Sequence, residues 1–408
     1  MAQPFDAHRP AQDGRLAGAD FIRAVACLMV ILHHLLQRLD FSALPEGVRP
    51  IAAFGLNGSF GVAAFFVLSG YLLSRPFWKS LLAGQRFPSL QIYALRRAAR
   101  IVPAFWLALT VAFVLGVTAF GSRLDAMTVF RYLAGLLLIG GWHWSIVFPV
   151  DFDGPLWSIG FEVASYVFLP IGMAVLFWLR ARSVGTALAA WLGVMLAIDA
   201  LNWLVVSYLP VETAGAGWQF GLIGGSKEWV PRFSPVSFFA IFAIGGLAGG
   251  LQVGVRLRPP LLADALALAG IAIAGGSMIA AMNGPTEGYG FLGIPCGYPW
   301  FPAGVALILM AAPSSRTFAR LADNPVIRFI ARISFGLYLW HFLVLEVIGH
   351  FWIAGASTGG MTNLSLWFTV GAVDVAASVA IASLSFTLVE RPVMRLAHGL
   401  ESRNRDRP

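Results

Sequence analysis

Charge is scarce in this chain. Asp, Glu, Lys and Arg supply 12% of its 408 residues, about half the usual quarter, so little material remains for a large soluble domain. Cysteine is scarcer still. Cys27 and Cys296 stand far apart in apolar surroundings, which excludes a disulfide framework, and no Cys/His cluster has ligand spacing, so no metal is expected. There is no phosphate-binding glycine loop and no heptad array. No repeat recurs at a fixed period, and no pair of interrupted helices sits in matching halves, which counts against a transporter built on inverted repeats. The first 18 residues lack the charged, apolar and small-residue regions of a secretory signal, so the first hydrophobic helix is expected to be retained.

What is abundant is apolar sequence, at 58% of residues against a usual 45–50% or so. Apolar segments fall near 19–37, 59–75, 101–120, 127–148, 155–178, 187–209, 236–254, 261–282, 299–313, 333–350 and 367–389. Several reach the ~20 residues that cross a bilayer. The chain is therefore expected to be an all-α, polytopic membrane helical bundle. Its net charge of +8 lies in short loops and points to membrane topology rather than nucleic acid.

The basic clusters set an orientation. Arg75, Lys79, Arg86, Arg96, Arg97 and Arg100 crowd one loop. Arg180 with Arg182, Arg256 with Arg258, and Arg316, Arg320, Arg328 and Arg332 follow, then the tail with Arg391, Arg395, Arg403, Arg405 and Arg407. Placing all of them in the cytoplasm requires an even number of crossings between Arg100 and Arg180, where three apolar segments lie. The segment 127–148, bracketed by Arg123, Arg131 and Trp142-His-Trp144, is the one expected to lie at the interface or re-enter. About ten transmembrane helices result, with both termini cytoplasmic. The domains are then a polar tail 1–18, a membrane domain 19–392 and a basic cytoplasmic tail 393–408.

Against this apolar background the ionisable residues stand out. Arg23 and His34 are eleven residues apart, which at ~100° per residue is three turns plus about 20°. They share one helix face, roughly 16 Å apart along the axis. Groups of this kind inside a span normally face protein or a wet cavity, although a positive-inside anchor and a packing histidine would read the same. Arg97 and Arg100, at i and i+3, share a face and suit a polyanion gripped by forked guanidinium groups. Ordinary anchoring explains them as cheaply. Gly154-Pro-Leu-Trp-Ser-Ile-Gly-Phe-Glu162 sets Ser158 and Glu162 on one face at the start of a span. Ser334-Phe-Gly-Leu-Tyr-Leu-Trp-His341 places His341 in another span with Tyr338 at i−3, and Thr387-Leu-Val-Glu-Arg-Pro392 closes the last helix. The segment Gly58–Tyr71 is rich in small residues and suits close helix approach or plain packing. Glycines 244–250 could pack helices within one chain or between two.

Taken together and in order, these motifs resemble acyltransferase family 3: Arg-x10-His, Phe-Phe-Val-Leu-Ser-Gly-Tyr, Arg-x-x-Arg before Ile-x-Pro, Pro-Leu-Trp-Ser-x-x-x-Glu, Tyr-Leu-Trp-His and Glu-Arg-Pro. The resemblance runs from about Gly18 to Pro392. It implies a multi-pass enzyme of the bacterial inner membrane that moves an acyl group, most commonly acetyl, from cytoplasmic acyl-CoA to a hydroxyl of a carbohydrate or glycolipid acceptor. By position it implies Arg23 and His34 as the essential pair, Arg97 and Arg100 at the acyl-CoA donor, and Glu162 as a catalytic acid. Trp157, Ser158, Tyr338, His341, Glu390 and Arg391 fall in motifs placed near the substrate. Two departures, Ala63-Ala64 after Gly-Val and Phe161-Glu-Val-Ala-Ser-Tyr166, bear on the acceptor pocket. No esterase domain is expected after the last span, so any relay to one would need a partner.

A neutral His34 can serve as general base, its ordinary pKa lying near the working pH, or it can carry the acyl group itself. Two other classes remain open: a proton-coupled transporter using His34, Glu162 and His341 as a relay, and a catalytically silent scaffold. Oligomeric state is open too, homo-oligomers included.

Overall fold

The computed structural model describes residues 18–208, 229–230, 232–255, 257–285, 287–315, 317–318, 322 and 324–405, with side chains to Glu401. Arg256, Arg316, Arg320 and Arg407, and the side chains of Arg403 and Arg405, entered the charge-bias reading and lie outside that description. So does most of the 1–18 tail.

Among the described residues the regular structure is helical, with one isolated bridge between Leu39 and Met361. The helices are α1 (Ala19–Leu36), α2 (Arg49–Leu56), α3 (Gly61–Leu82), α4 (Leu90–Thr118), α5 (Ala126–Leu136), α6 (Trp157–Trp178) and α7 (Val184–Tyr208). They continue as α8 (Pro235–Gly254), α9 (Pro260–Ala281), α10 (Trp300–Ala311), α11 (Pro325–Phe351), α12 (Leu364–Ser385) and α13 (Arg391–Arg405). Nine helical stretches among the described residues are long and apolar enough to cross a membrane. This is a multi-pass membrane protein.

Two expected features meet shorter helices. In the segment 127–148, α5 has 11 residues, about 16 Å of helix against a hydrocarbon core of about 30 Å, and 3-10 turns follow it. It is too short to span, as the charge bias required. The segment 299–313, expected as a tenth crossing, yields only the 12 residues of α10. The stretch before α10 is non-helical yet buried. Ile294 is fully enclosed, Gly297 N donates to Gly288 O at 2.7 Å, and Tyr298 Oη donates to Asp199 Oδ1 at 2.8 Å. Irregular backbone beside membrane helices is tolerated when protein covers and pairs it.

The core seam is α3 against α8, and small residues make it. A Cβ on Gly70 would lie 2.0 Å from Phe242 O, and one on Gly245 would lie 2.0 Å from Val67 O. The two backbones therefore touch where any larger residue would separate them. The glycines of 244–250 thus serve packing within the chain. Trp78 and Trp191 close the seam by donating to Gly246 O and Ala243 O, each at 2.9 Å.

Around this seam, α1 packs on α3 and α11, and α12 covers α11. After a π turn over Phe386–Glu390 the chain continues as α13. Much of the expected basic tail is thus a helix docked on α4, held by Arg96 to Glu401 at 2.6 Å.

Candidate active site

The site is strung along α1. Its residues between Asp20 and Arg38 alternate between the core and a row of cavities bounded by α3, α4, α6 and α11. At the first end a cavity of about 850 Å³ is rimmed by basic side chains, among them Arg23, Arg96, Arg97, Arg100, Arg328 and Arg332. Helix α13 supplies Met394, Ala397 and His398 to its wall. Arg23 is paired with Asp20 one turn earlier, at 2.9 Å.

Arg23, Arg97 and Arg100 also line a second, narrower chamber of about 120 Å³ that runs into the bundle. Its walls are largely apolar, from Val62, Phe65 and Phe66 on α3, Ile101 on α4 and Phe335 on α11. Helix α6 contributes the polar stripe. Ser158, Glu162 and Tyr166 follow at i, i+4 and i+8, a spacing that keeps them on one face, and all three line this chamber. The Glu162 carboxylate accepts from Ser69 Oγ at 3.2 Å and from the Tyr166 hydroxyl.

The third cavity, about 490 Å³, holds the histidine end. His34 and His33 line it with Gln37, Arg38, Trp157, Trp229 and Phe342. His34 Nδ1 lies 2.9 Å from Gln37 Oε1. An amide oxygen only accepts, so Nδ1 carries the proton and the Nε2 lone pair is free to take one. His341 sits behind it, ring centroids 5.3 Å apart, with Nδ1 on Leu337 O at 3.0 Å and its buried Nε2 without a partner. Arg38, on the wall of the same cavity, belongs to a charged pair that no motif announces: its Nη2 lies 2.7 Å from Glu346 Oε1, and the guanidinium sits 5.1 Å over the Phe342 ring.

The structure therefore sorts the expected residues into groups. Arg23, Arg97, Arg100, Ser158 and Glu162 share the narrow chamber, His34 and Trp157 share the histidine chamber, and Tyr338 lines both. His341 contacts His34 from outside the lining. Glu390 lines none of these cavities. It is buried and bound to Arg100 at 3.3 Å. Arg391 is exposed and lines none of them either. Of the alternative relay, His34 and His341 are in ring contact, while Glu162 lines the narrow chamber. Tyr166 and Ser69, both bonded to Glu162, were missed. Tyr166 was legible as the next i+4 step after Ser158 and Glu162, while Ser69 comes from another helix. Among the described residues no group of His, Cys, Asp and Glu is arranged to hold a metal ion.

Residues 16–383 match the family defined by an acyltransferase domain. The chain is similar to the peptidoglycan O-acetyltransferase OatA of Listeria monocytogenes serovar 1/2a, 24% identical over 408 aligned residues that cover 92% of this chain and 55% of that protein. It thus spans little more than half of that relative. It is also similar to the acyltransferase MdmB of Streptomyces mycarofaciens, 23% identical over 397 residues that cover 95% of this chain and 94% of that protein.

Proposed function

Because the chain belongs to the acyltransferase family matched over residues 16–383, we propose that it is a membrane O-acyltransferase that moves an acyl group, acetyl first among them, from acyl-CoA to a hydroxyl of a carbohydrate acceptor. One observation carries this reading. Arg97 and Arg100 line both the open basic mouth and the narrow chamber that ends at Tyr338, and His34 lies in the chamber beyond.

The arginine-rich mouth suits the phosphates of coenzyme A, since guanidinium groups bind phosphate through paired, charge-assisted hydrogen bonds. An apolar tunnel beyond it suits the pantetheine arm and the short acyl group. The positive-inside bias supports a mouth that opens at the cytoplasmic face of the inner membrane, on the side where acyl-CoA is made. On the far side, Trp157, Trp229 and Phe342 offer rings, and Gln37, Arg38 and Glu287 offer polar groups. Aromatic faces edged by a few polar groups fit a sugar, whose C–H face is apolar and whose rim is hydroxyl.

The chemistry follows from the free Nε2 of His34. It accepts the proton of the acceptor hydroxyl as the oxygen attacks the thioester carbonyl carbon. The C–S bond breaks, the proton passes to the departing sulfur, and the products are the ester and free CoA thiol. Glu162, held by Ser69 and Tyr166, places a carboxylate along the donor arm, where it orients the polar atoms of pantetheine.

The test is acetyl-CoA binding and cleavage by the purified protein in detergent. Wild type is expected to bind acetyl-CoA and release CoA slowly. His34→Ala should keep binding and lose release by roughly 10²–10⁴-fold, the usual worth of a positioned base, whereas Arg97→Ala should weaken binding. A wild type that neither binds nor cleaves acyl-CoA of any chain length would sink this assignment.

A further inference from the structure

An enzyme that transfers an acyl group to a hydroxyl competes with water, and one side chain stands where that competition is decided. Val62 and Tyr338 are the two residues that line both the narrow chamber and the histidine chamber. Tyr338 is buried, and its hydroxyl is fastened from both sides. It donates to Pro155 O at 2.9 Å and meets Ser158 Oγ at 2.6 Å. Pro155 lines the histidine chamber and Ser158 the narrow one. Ser158 Oγ in turn reaches Pro155 O at 3.3 Å, closing a triangle. With the Tyr338 proton on Pro155 O and the Ser158 proton on the Tyr338 oxygen, both hydroxyl protons are used. Phe65 backs the ring edge-on at 6.0 Å.

We propose that Tyr338 is the partition that sets transfer against hydrolysis. Latched to Pro155 and Ser158, it bars the water of the histidine chamber from a thioester held in the narrow one. This rests on the donor reading above. The reaction being suppressed is attack of a water oxygen on the thioester carbonyl carbon, with cleavage of the C–S bond and transfer of a water proton to sulfur, giving carboxylic acid and CoA thiol. Exclusion of water from a reactive intermediate is a general task of enclosed active sites. The wider histidine chamber is where an acceptor would sit, so the partition yields to a seated acceptor hydroxyl and not to bulk water.

The probe is acetyl-CoA alone, with no acceptor added, and the readout is CoA thiol release by the purified full chain in detergent. Tyr338→Ala removes the partition and should raise release by about tenfold or more. Tyr338→Phe keeps most of the packing and loses both bonds of the latch, while Ser158→Ala loses one and leaves the bond to Pro155 O; each should raise it a few-fold, on the scale of one or two buried hydrogen bonds. A gain of hydrolysis is the diagnostic, since a merely structural role would lower every rate.

Release at or below the wild-type rate in Tyr338→Ala, in protein that still binds acetyl-CoA as wild type does, overturns the partition and leaves the donor reading intact. If Tyr338→Ala fails to fold, Tyr338→Phe and Ser158→Ala decide: unchanged release in both overturns it. A wild type that does not bind acetyl-CoA overturns the partition and the donor reading together.

Discussion

Arg100 reaches the carboxylate of Glu390 across 3.3 Å, and that carboxylate is completely buried while the arginine is 27% exposed. The asymmetry matters. Removing the arginine leaves a charge in the interior with no partner, and its Oε1 already lacks one, whereas Arg97 has no ion-pair partner among the described residues. The two arginines of one motif therefore do different work.

Arg100→Ala should accordingly both weaken acetyl-CoA binding and destabilise the fold. The expected loss is toward the low end of the ~3–5 kcal/mol seen when one partner of a buried pair is deleted, because Arg100 is partly solvated. The double variant Arg100→Ala/Glu390→Gln should recover thermal stability without recovering affinity. Arg97→Ala should lose affinity alone. Melting curves and acetyl-CoA titrations in the same detergent check all three, and a double variant no more stable than Arg100→Ala contradicts the assignment of Glu390.

The Gln37 contact to His34 leads to a second expectation. Gln37→Leu removes the acceptor that keeps the proton on Nδ1, so the tautomer with a free Nε2 is no longer favoured. Turnover should fall by about tenfold, less than on loss of the imidazole itself, with the KM for acetyl-CoA unchanged. A rise in KM with constant kcat would place Gln37 in donor binding instead.

Much of this site could be read along single helices, because helical spacing is local. The shared face of Arg23 and His34, the stripe of Ser158 and Glu162, and the pairing of Arg97 with Arg100 all follow from about 100° per residue. The close approach at Gly58–Tyr71 was legible for the same reason, since small residues in a span announce contact. What escaped depends on which helices meet. Tyr338 finds Ser158 across 180 residues of sequence, and Arg38 finds Glu346 across 308. Glu390 stood out only as part of its motif, and its pairing with Arg100 joins residues 290 apart in sequence. The segment 299–313 looked like a crossing because hydropathy does not report where a helix starts: the helix begins only at Trp300, and the pairing of Tyr298 with Asp199 that holds the non-helical chain before it lies outside the reach of any window.

The α3–α8 seam supplies a structural test independent of activity. Gly70→Ala and Gly245→Ala each place a methyl group 2.0 Å from a backbone oxygen, which no rotamer change relieves. Each should cost at least the ~1–3 kcal/mol of ordinary overpacking, read as a lowered melting temperature. Gly193→Ala on α7 meets nothing within 4 Å and removes a helix-interior glycine, so it should hold or raise stability by up to about 1 kcal/mol. Equal behaviour of the three variants would contradict the close contact.

Asp153, just before α6, has no measurable exposure, and neither carboxylate oxygen has a partner. Burial, aided by the nearby Glu346 carboxylate, pushes its pKa well above the ordinary carboxylate range. The folded state thus holds this proton more tightly than the unfolded one, whose Asp titrates near 3.9. Below that pH both states are protonated and the group is neutral in its effect. As pH rises toward the folded value, the unfolded chain ionises while the folded chain resists, so stability falls with pH and stays low above it. Asp153→Asn removes the titration while keeping the shape. It should raise the melting temperature at pH 7–8 relative to wild type, by an amount that grows as the pH rises above the unfolded value. That advantage should vanish as the pH is lowered toward 4. Melting curves of the two proteins across that range decide it: a gain that is constant with pH would mean that the side chain is strained for reasons other than its charge, and a loss at neutral pH would mean that the carboxylate is ionised and partnered in the folded protein.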